Sequence, residues 1–331
     1  MKILVTMPAG YVRDTFIPFE AAEKLMTLGD VIWNETEEQF SPVELREKIS
    51  GIDIALTGWS CPKLDEYTLQ YADKLKLVAH TGGSVAPVAG SYLYEKGIKI
   101  ISGNWVYAES VAEGTIAYML AALRDIVLYN KVVQNGRWKE EDSYNEGLLD
   151  QTIGLIGFGM VARNLVRLLK PFRVKINVCA DYLTEADCSY YGINKVSLEE
   201  VFKSCRIISV HESQRPETYH MINKRLLAAI SDGALLINTS RGSIIDEQAL
   251  ADELEKKRFK AVLDVYEEEP LPEGSRLRGL DNVILIPHMA GPTIDRRKFV
   301  TLGLIEDIQR MLRNEKLEYE ISREYAERMT K

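Results

Sequence analysis

The chain is poor in the features that mark several large protein classes. Cysteine is scarce: Cys61, Cys179, Cys188 and Cys205 are the only four, with no CxxC spacing and no histidine placed beside them as a metal partner. This excludes a disulfide framework, indicates no metal, and reads as reduced thiols in the cytoplasm. No stretch approaches the roughly 18 uninterrupted apolar residues of a membrane span. The opening Met1-Lys2-Ile3-Leu4-Val5-Thr6-Met7-Pro8 is too short an apolar run for a signal peptide and reads as a first strand. Basic residues are outnumbered, 41 against 49 acidic, for a formal charge of −8. That argues against nucleic acid or an anionic membrane as partner, so any anionic ligand must be held by local positive groups. Low-complexity tracts and short-period repeats are also missing. What remains is an ordinary globular composition, 46% hydrophobic and 27% charged, at a length of 331 residues that suits two domains.

Short β-rich runs alternate with helical patterns from one end to the other, the signature of parallel α/β architecture. Two series are legible. The first places strands near 2–6, 30–33, 53–57, 76–80 and 98–101, with helices near 15–28, 42–49, 64–72 and 87–96. The second places strands near 152–156, 174–179, 193–196, 206–210, 233–238, 260–263 and 283–286, with helices between them. A helix over 108–134 joins the two series, and its small and apolar residues on most faces imply burial between domains or subunits. A last helix over 293–314 returns the chain to the first domain, and the Glu- and Lys-rich stretch from Glu315 reads as a solvated tail.

The segment Thr152-Ile153-Gly154-Leu155-Ile156-Gly157-Phe158-Gly159-Met160-Val161-Ala162 reads as a dinucleotide site. Gly157 allows a tight turn, Gly159 lets the backbone approach a pyrophosphate, and Ala162 lets the following helix pack closely on the strand. The phosphates would meet the N–H groups opening that helix, around Met160 and Val161, at its positive end. Asp181 lies 24 residues beyond Gly157 at the end of the next apolar run, where a carboxylate can take the adenosine ribose hydroxyls. A 2′-phosphate would meet like charge there, and Tyr182-Leu183-Thr184-Glu185 offers no Arg or Lys, so the expected cofactor is NAD (NADH) rather than NADP.

Three further segments deliver polar groups to strand ends. Leu235-Leu236-Ile237-Asn238-Thr239-Ser240-Arg241-Gly242 presents Arg241, whose planar fork suits a carboxylate, with Thr239 and Ser240 placed to meet a cofactor. Ala261-Val262-Leu263-Asp264-Val265-Tyr266-Glu267-Glu268-Glu269-Pro270 presents Asp264 toward the nicotinamide side, and Glu269, which the following proline orients. Glu267 and Glu268 read as a solvated loop. Val283-Ile284-Leu285-Ile286-Pro287-His288-Met289-Ala290-Gly291-Pro292 presents His288, with Gly291 in the turn behind it. Paired with Glu269, His288 becomes a general acid and base, since a carboxylate neighbour orients the ring and favours its protonated form. His211 follows a strand near the cofactor path and contributes through its backbone. His80 precedes Thr81-Gly82-Gly83-Ser84 and is open to catalytic, substrate-binding and structural readings; the N–H groups of Gly82 and Gly83 suit a substrate carboxylate. His220 reads as a residue of a surface helix without a role.

These pieces together resemble the D-isomer-specific 2-hydroxyacid dehydrogenases over nearly the whole chain. The matching segments are Ala108-Glu109-Ser110-Val111-Ala112-Glu113, the GFGMVA turn with Asp181, Pro216-Glu217-Thr218, NTSRG followed by Ile245-Asp246, DVYEEEP and PHMAG, in that order. The resemblance implies that Arg241 holds the substrate, Glu269 orients the imidazole and His288 is the proton donor. It also implies two doubly wound parallel-sheet domains with a cleft between them. A Rossmann cofactor domain, 104–291, would be inserted into a flavodoxin-like substrate-binding domain made of 1–103 and 292–331. The expected partners are a small-molecule 2-hydroxy or 2-keto acid and a second copy in a homodimer. Two departures stand near substrate or cofactor: Gly82-Gly83-Ser84-Val85-Ala86-Pro87-Val88-Ala89 replaces the family's GVGxDNID form, and Ser213-Gln214-Arg215 replaces Pro-Leu-Thr. Arg215 is thereby either a second anion contact or a solvated helix-start arginine. Phosphoglycerate oxidation is the alternative activity, disfavoured by the lack of a further regulatory domain, and an NAD-sensing binding protein of the corepressor type is the alternative outside catalysis.

Overall fold

Runs such as Ile3-Leu4-Val5, Ile54-Ala55-Leu56 and Leu235-Leu236-Ile237 are apolar on both faces, as strands covered by helices on each side must be, and each is buried. The computed structural model describes residues 1–141 and 143–330. The chain divides into two units, one of Met1–Tyr107 together with the chain from Pro292, the other of Ala108–Gly291.

In the first unit β1 (Lys2–Val5), β2 (Asp30–Trp33), β3 (Ile54–Thr57), β4 (Leu77–His80) and β5 (Lys99–Ser102) form a parallel sheet of order β2-β1-β3-β4-β5. One face packs Leu4, Ala55, Val78 and Ile100, the other Ile3, Val5, Leu56, Ala79 and Ile101. The returning helix Ile294–Leu312 adds Val300, Leu304, Ile305 and Ile308 to the second face. Each such side chain, fully buried, contributes about 1.5–3 kcal/mol.

The second unit carries β6 (Thr152–Ile156), β7 (Lys175–Cys179), β8 (Asn194–Lys195), β9 (Ile207–Val210), β10 (Leu235–Asn238), β11 (Lys260–Leu263) and β12 (Val283–Leu285). All pair in parallel, in the order β12-β11-β10-β9-β6-β7-β8. Strand order reverses at β6, which lies between β7 and β9, and open sheets bind ligands outside the carboxyl ends of the strands at such a point. Both sheets have the expected doubly wound form.

The helices depart from expectation in places that have identifiable causes. Pro18 cannot continue a helix, and the 15–28 pattern becomes Tyr11–Phe16 and Phe19–Met26. No helix forms over 64–72, because Asp65 accepts from the Tyr67 and Thr68 N–H groups and Thr68 donates to the Lys63 carbonyl, local bonds that favour turns. The 87–96 helix shortens to Ser91–Glu95. The 108–134 helix starts at Asn104 and breaks at Asp125, where φ is +51, into Asn104–Leu123 and Ile126–Gln134. The stretch from Glu315 is no solvated tail. Ile321 donates to the Ile100 carbonyl, Arg323–Arg328 is helical, and Leu317, Ile321, Ala326 and Met329 are buried. These apolar residues, interleaved with the charges that suggest a tail, anchor it to the first unit.

Candidate active site

At the end of β6, Gly157 adopts φ +89, and a Cβ there would lie 2.8 Å from the His211 carbonyl oxygen. Only glycine lets this turn press against the end of β9. Gly159 opens the helix Met160–Leu169 with no side-chain cap, and a Cβ built on it would meet nothing within 4 Å. The positive end of the helix, around Met160 and Val161, thus faces open space, as a pyrophosphate requires. Asp181, two residues beyond β7, is exposed, and among the described residues its carboxylate takes no hydrogen bond or ion pair. These groups fit a dinucleotide. Two neighbours are invisible to the local sequence. The Phe158 N–H donates to the Tyr182 hydroxyl at 2.9 Å, and Lys195 from β8 donates to the carbonyls of Asp181 and Leu183 at 3.1 and 2.9 Å. A cation therefore does stand behind Asp181, although none follows it in sequence. His211 packs its ring against Ser209 at 2.8 Å, burial lowers its pKa, and its carbonyl lines the glycine turn.

Beyond β10, Asn238 braces the turn that carries Arg241. Its amide donates to the Arg241 carbonyl at 2.9 Å, and its oxygen accepts from the N–H and hydroxyl of Ser240. Thr239 is buried against the Thr115 hydroxyl at 3.2 Å. Gly242 then meets the chain beyond β11 so closely that a Cβ would fall 1.8 Å from the Tyr266 carbonyl carbon. That backbone contact joins the end of β10 to the loop holding Glu269. Arg241 donates to the Ser240 carbonyl and, among the described residues, has no carboxylate in ion-pair range. Burial lowers its pKa, and the charge of Glu269 opposes that shift.

Glu269 accepts from the Tyr266 N–H at 3.1 Å through one oxygen and contacts His288 Nδ1 at 2.7 Å through the other. His288 stands three residues past β12 with φ +52, a strained value for a residue with a Cβ. Its side chain is 48% exposed, so the ring presents Nε2 outward while Nδ1 is held. Arg241, Glu269 and His288, drawn from three separate segments, are thereby brought into one neighbourhood.

Asp264 holds that neighbourhood in place. It is 1% exposed; one oxygen accepts from the Met289 N–H at 2.8 Å and the Tyr118 hydroxyl at 3.2 Å, the other from the Ala290 N–H at 3.0 Å. Its carbonyl accepts from the His288 N–H. The carboxylate expected to touch the cofactor is thus engaged by its own chain and fixes the His288 loop, ahead of Gly291. Tyr118, Thr115 and Asn238 are the supports that sequence reasoning misses. Asn238 alone carries a local signal, an Asx turn at a strand end.

In the first unit, His80 is 3% exposed, bonds Thr57 at 2.9 Å, and is pushed down to about 4 by burial. A buried ring held by Thr57 is the arrangement that the structural reading of His80 expects. Among the described residues, no acceptor takes the N–H of Gly82 or Gly83. His220 lies on no helix: φ is +50, its ring stacks on Tyr219 and its Nε2 meets Glu267 at 2.7 Å. Glu267 also accepts from the Glu247 N–H, so it is a tie between segments rather than a free loop charge. Arg215 pairs with Glu212 at 3.0 Å.

A glycine turn at the switch point of a doubly wound sheet, with an uncapped helix and a free acidic residue beyond the next strand, defines a dinucleotide-binding protein. Residues 116–290 match the model of the D-isomer specific 2-hydroxyacid dehydrogenase NAD binding domain. The chain is 32% identical to a hydroxypyruvate reductase of Thermotoga maritima, over 87% of this chain and 94% of that protein. It is 31% identical to a D-3-phosphoglycerate dehydrogenase of Methanocaldococcus jannaschii, over 95% of this chain but 58% of the relative's length. Among solved structures, an acyclic imino acid reductase in complex with NADPH and D-arginine superposes with a TM-score of 0.81 at 25% identity, covering 97% of this chain and all of that one. The chain belongs to the D-isomer-specific 2-hydroxyacid dehydrogenase family and binds a nicotinamide dinucleotide. No helix among the described residues is long and apolar enough to cross a membrane.

Proposed function

We propose that the protein reversibly reduces a 2-keto acid to the D-2-hydroxy acid. The single observation that carries the reading is the 2.7 Å contact of His288 Nδ1 with Glu269 beside an Arg241 that has no carboxylate of its own. The dinucleotide, when bound, supplies the hydride chemistry at C2. Arg241 anchors the substrate carboxylate; in the first unit, the unpartnered N–H groups of Gly82 and Gly83 are further donors for a substrate. His288, oriented through Nδ1 by Glu269, gives the Nε2 proton to the alkoxide oxygen and takes it back in the reverse direction; proton donation of this kind is worth about 10²- to 10⁴-fold in rate. Asp181 takes the ribose hydroxyls and favours NADH. Residues 1–103 with 292–331 serve as the substrate-binding domain and 104–291 as the NAD-binding domain.

The helix Ile126–Gln134 buries none of its residues, and Ile126, Val127, Leu128, Val133, Trp138 and Tyr144 are exposed. Such a contiguous apolar stretch supports a second copy as partner, to be read by sedimentation; a monomer at micromolar concentration removes it. Four free cysteines support a cytoplasmic location, which cell fractionation checks. The activity is tested by a panel of 2-keto acids with NADH and by His288→Ala. The variant should lose about two to four orders of magnitude in kcat on the best acid. Undiminished turnover removes His288 from the role, and no NADH oxidation with any acid favours an NAD-sensing protein.

A further inference from the structure

In the first unit, Arg297 is a cation with no counter-charge among the described residues. Arg297 lies on the first turn of the helix Ile294–Leu312, half-buried, with its guanidinium 5.3 Å from the Phe16 ring centre and 5.4 Å from that of Trp59. It donates to the Thr15 hydroxyl at 3.1 Å and weakly to the Pro292 carbonyl at 3.4 Å. No carboxylate among the described residues lies within ion-pair distance of it, whereas Arg310 on the same helix pairs with Asp307 and Glu318. A guanidinium has five N–H donors in a planar fork. Most of this fork is unspent, and a partly desolvated positive charge left without an anion is costly.

Its surroundings connect it to the glycine turn. The Trp59 ring meets Phe16 edge-on at 5.2 Å and Tyr107 edge-on at 6.5 Å, and the backbone of Gly83 rests on the Tyr107 ring. The Tyr107 hydroxyl is buried and, apart from a weak approach by the Trp59 indole, has no partner. Next to Trp59, Ser60 is held at φ +61, an outlier of the kind that gathers at binding sites. One aromatic cluster therefore carries free N–H donors at one end, an orphaned hydroxyl within it and an unpaired arginine at the other.

Building on the 2-keto acid reading above, we infer that Arg297 receives a second anionic group on the substrate. The substrate is then a 2-keto acid that is also a carboxylic or phosphoric acid at its far end. Gly82 and Gly83 take the carboxylate beside the keto carbon, the faces of Trp59 and Tyr107 line the connecting carbons, and the fork of Arg297 closes on the remote anion. Trp59 and Phe16 hold the guanidinium in place before the ligand arrives, which lowers the ordering cost of binding.

The test compares the wild type with Arg297→Met, which keeps the stem's length and removes the charge. The panel contains mono-acids (glyoxylate, pyruvate, hydroxypyruvate), dicarboxylic 2-keto acids of four and five carbons, and phosphorylated hydroxypyruvate. The wild type should prefer a dianionic acid in kcat/KM. In Arg297→Met the ratio of dianion to mono-acid kcat/KM should fall about 10- to 100-fold, carried by KM. Whichever dianion responds, dicarboxylate or phosphate, identifies the remote group. Equal losses on both classes, or a wild type with no dianion preference, overturn the inference and leave Arg297 as a packing contact. If no acid is turned over, the catalytic reading fails alone, because thermal protection of the cofactor-free protein by malonate or inorganic phosphate still reports on Arg297. Protection lost in the variant sustains the anion site, and protection absent from the wild type or kept in the variant refutes it. Retained mono-acid turnover shows that the methionine variant is folded, and Arg297→Lys, which restores charge without the fork, should recover part of the ratio.

Discussion

Replacing Asp264 by asparagine should separate the holding of His288 from its chemistry. The carboxylate accepts three hydrogen bonds, two from the N–H groups of Met289 and Ala290 immediately after His288 and one from Tyr118. Asparagine keeps one acceptor oxygen and turns an NH2 group toward a backbone N–H. One bond to a charged acceptor is lost, about 1.5–3 kcal/mol, and at least one buried donor is left unpaired at about 1–3 kcal/mol more. A total near 3–5 kcal/mol should lower Tm by roughly 6–20 °C for a domain of this size. The strained φ of His288 then has less to hold it, and the imidazole should leave Glu269 for part of the time. We expect kcat with a 2-keto acid to fall roughly 10- to 100-fold, less than the full loss of a general acid. Thermal unfolding and steady-state kinetics on the same preparation read both quantities. A large drop in kcat with Tm unchanged would mean that Asp264 acts on the reacting groups directly. Wild-type values of both would remove it as a support.

Asp181→Ala should narrow the ratio of NADH to NADPH affinity, measured by fluorescence titration, because the carboxylate repels a 2′-phosphate while Lys195 stays in place; an unchanged ratio counts against this role of Asp181. The stability of the protein should also respond to acid through His80. Its folded pKa, about 4, lies below the ordinary value of 6.5, so the unfolded chain binds the proton first. The stabilisation is complete above pH 6.5 and is lost as the pH falls toward 4, amounting to about 3 kcal/mol. His80→Gln should flatten the fall of Tm across that window, and an equally steep profile in the variant would refute the assignment.

The sheets were legible because parallel strands covered on both faces read as continuous apolar runs, and Ile3 to Val5 or Leu235 to Ile237 could hardly be anything else. Gly157, Arg241, Glu269 and His288 were legible because each stands at a strand end beside a residue with a backbone consequence. What escaped depends on partners distant in sequence. Nothing near Asp264 announces Tyr118, and nothing near Asp181 announces Lys195. The final segment misled because its charges outnumber Leu317, Ile321, Ala326 and Met329, yet those four decide where it lies. The helix expected over 64–72 failed for the opposite reason, since polar side chains of Asp65 and Thr68 offered the backbone a nearer set of bonds.

The discontinuity of the first unit sets an order of assembly. Its first hundred residues emerge from the ribosome early, but Val300, Leu304 and Ile308, which complete one of its two cores, are made last. The inserted unit has all of its strands by Leu285 and can mature while the older segment is still waiting. A chain truncated at Gly291 and released from the ribosome should therefore resist protease in its middle and yield at its beginning, so the part translated first is the part most dependent on chaperones.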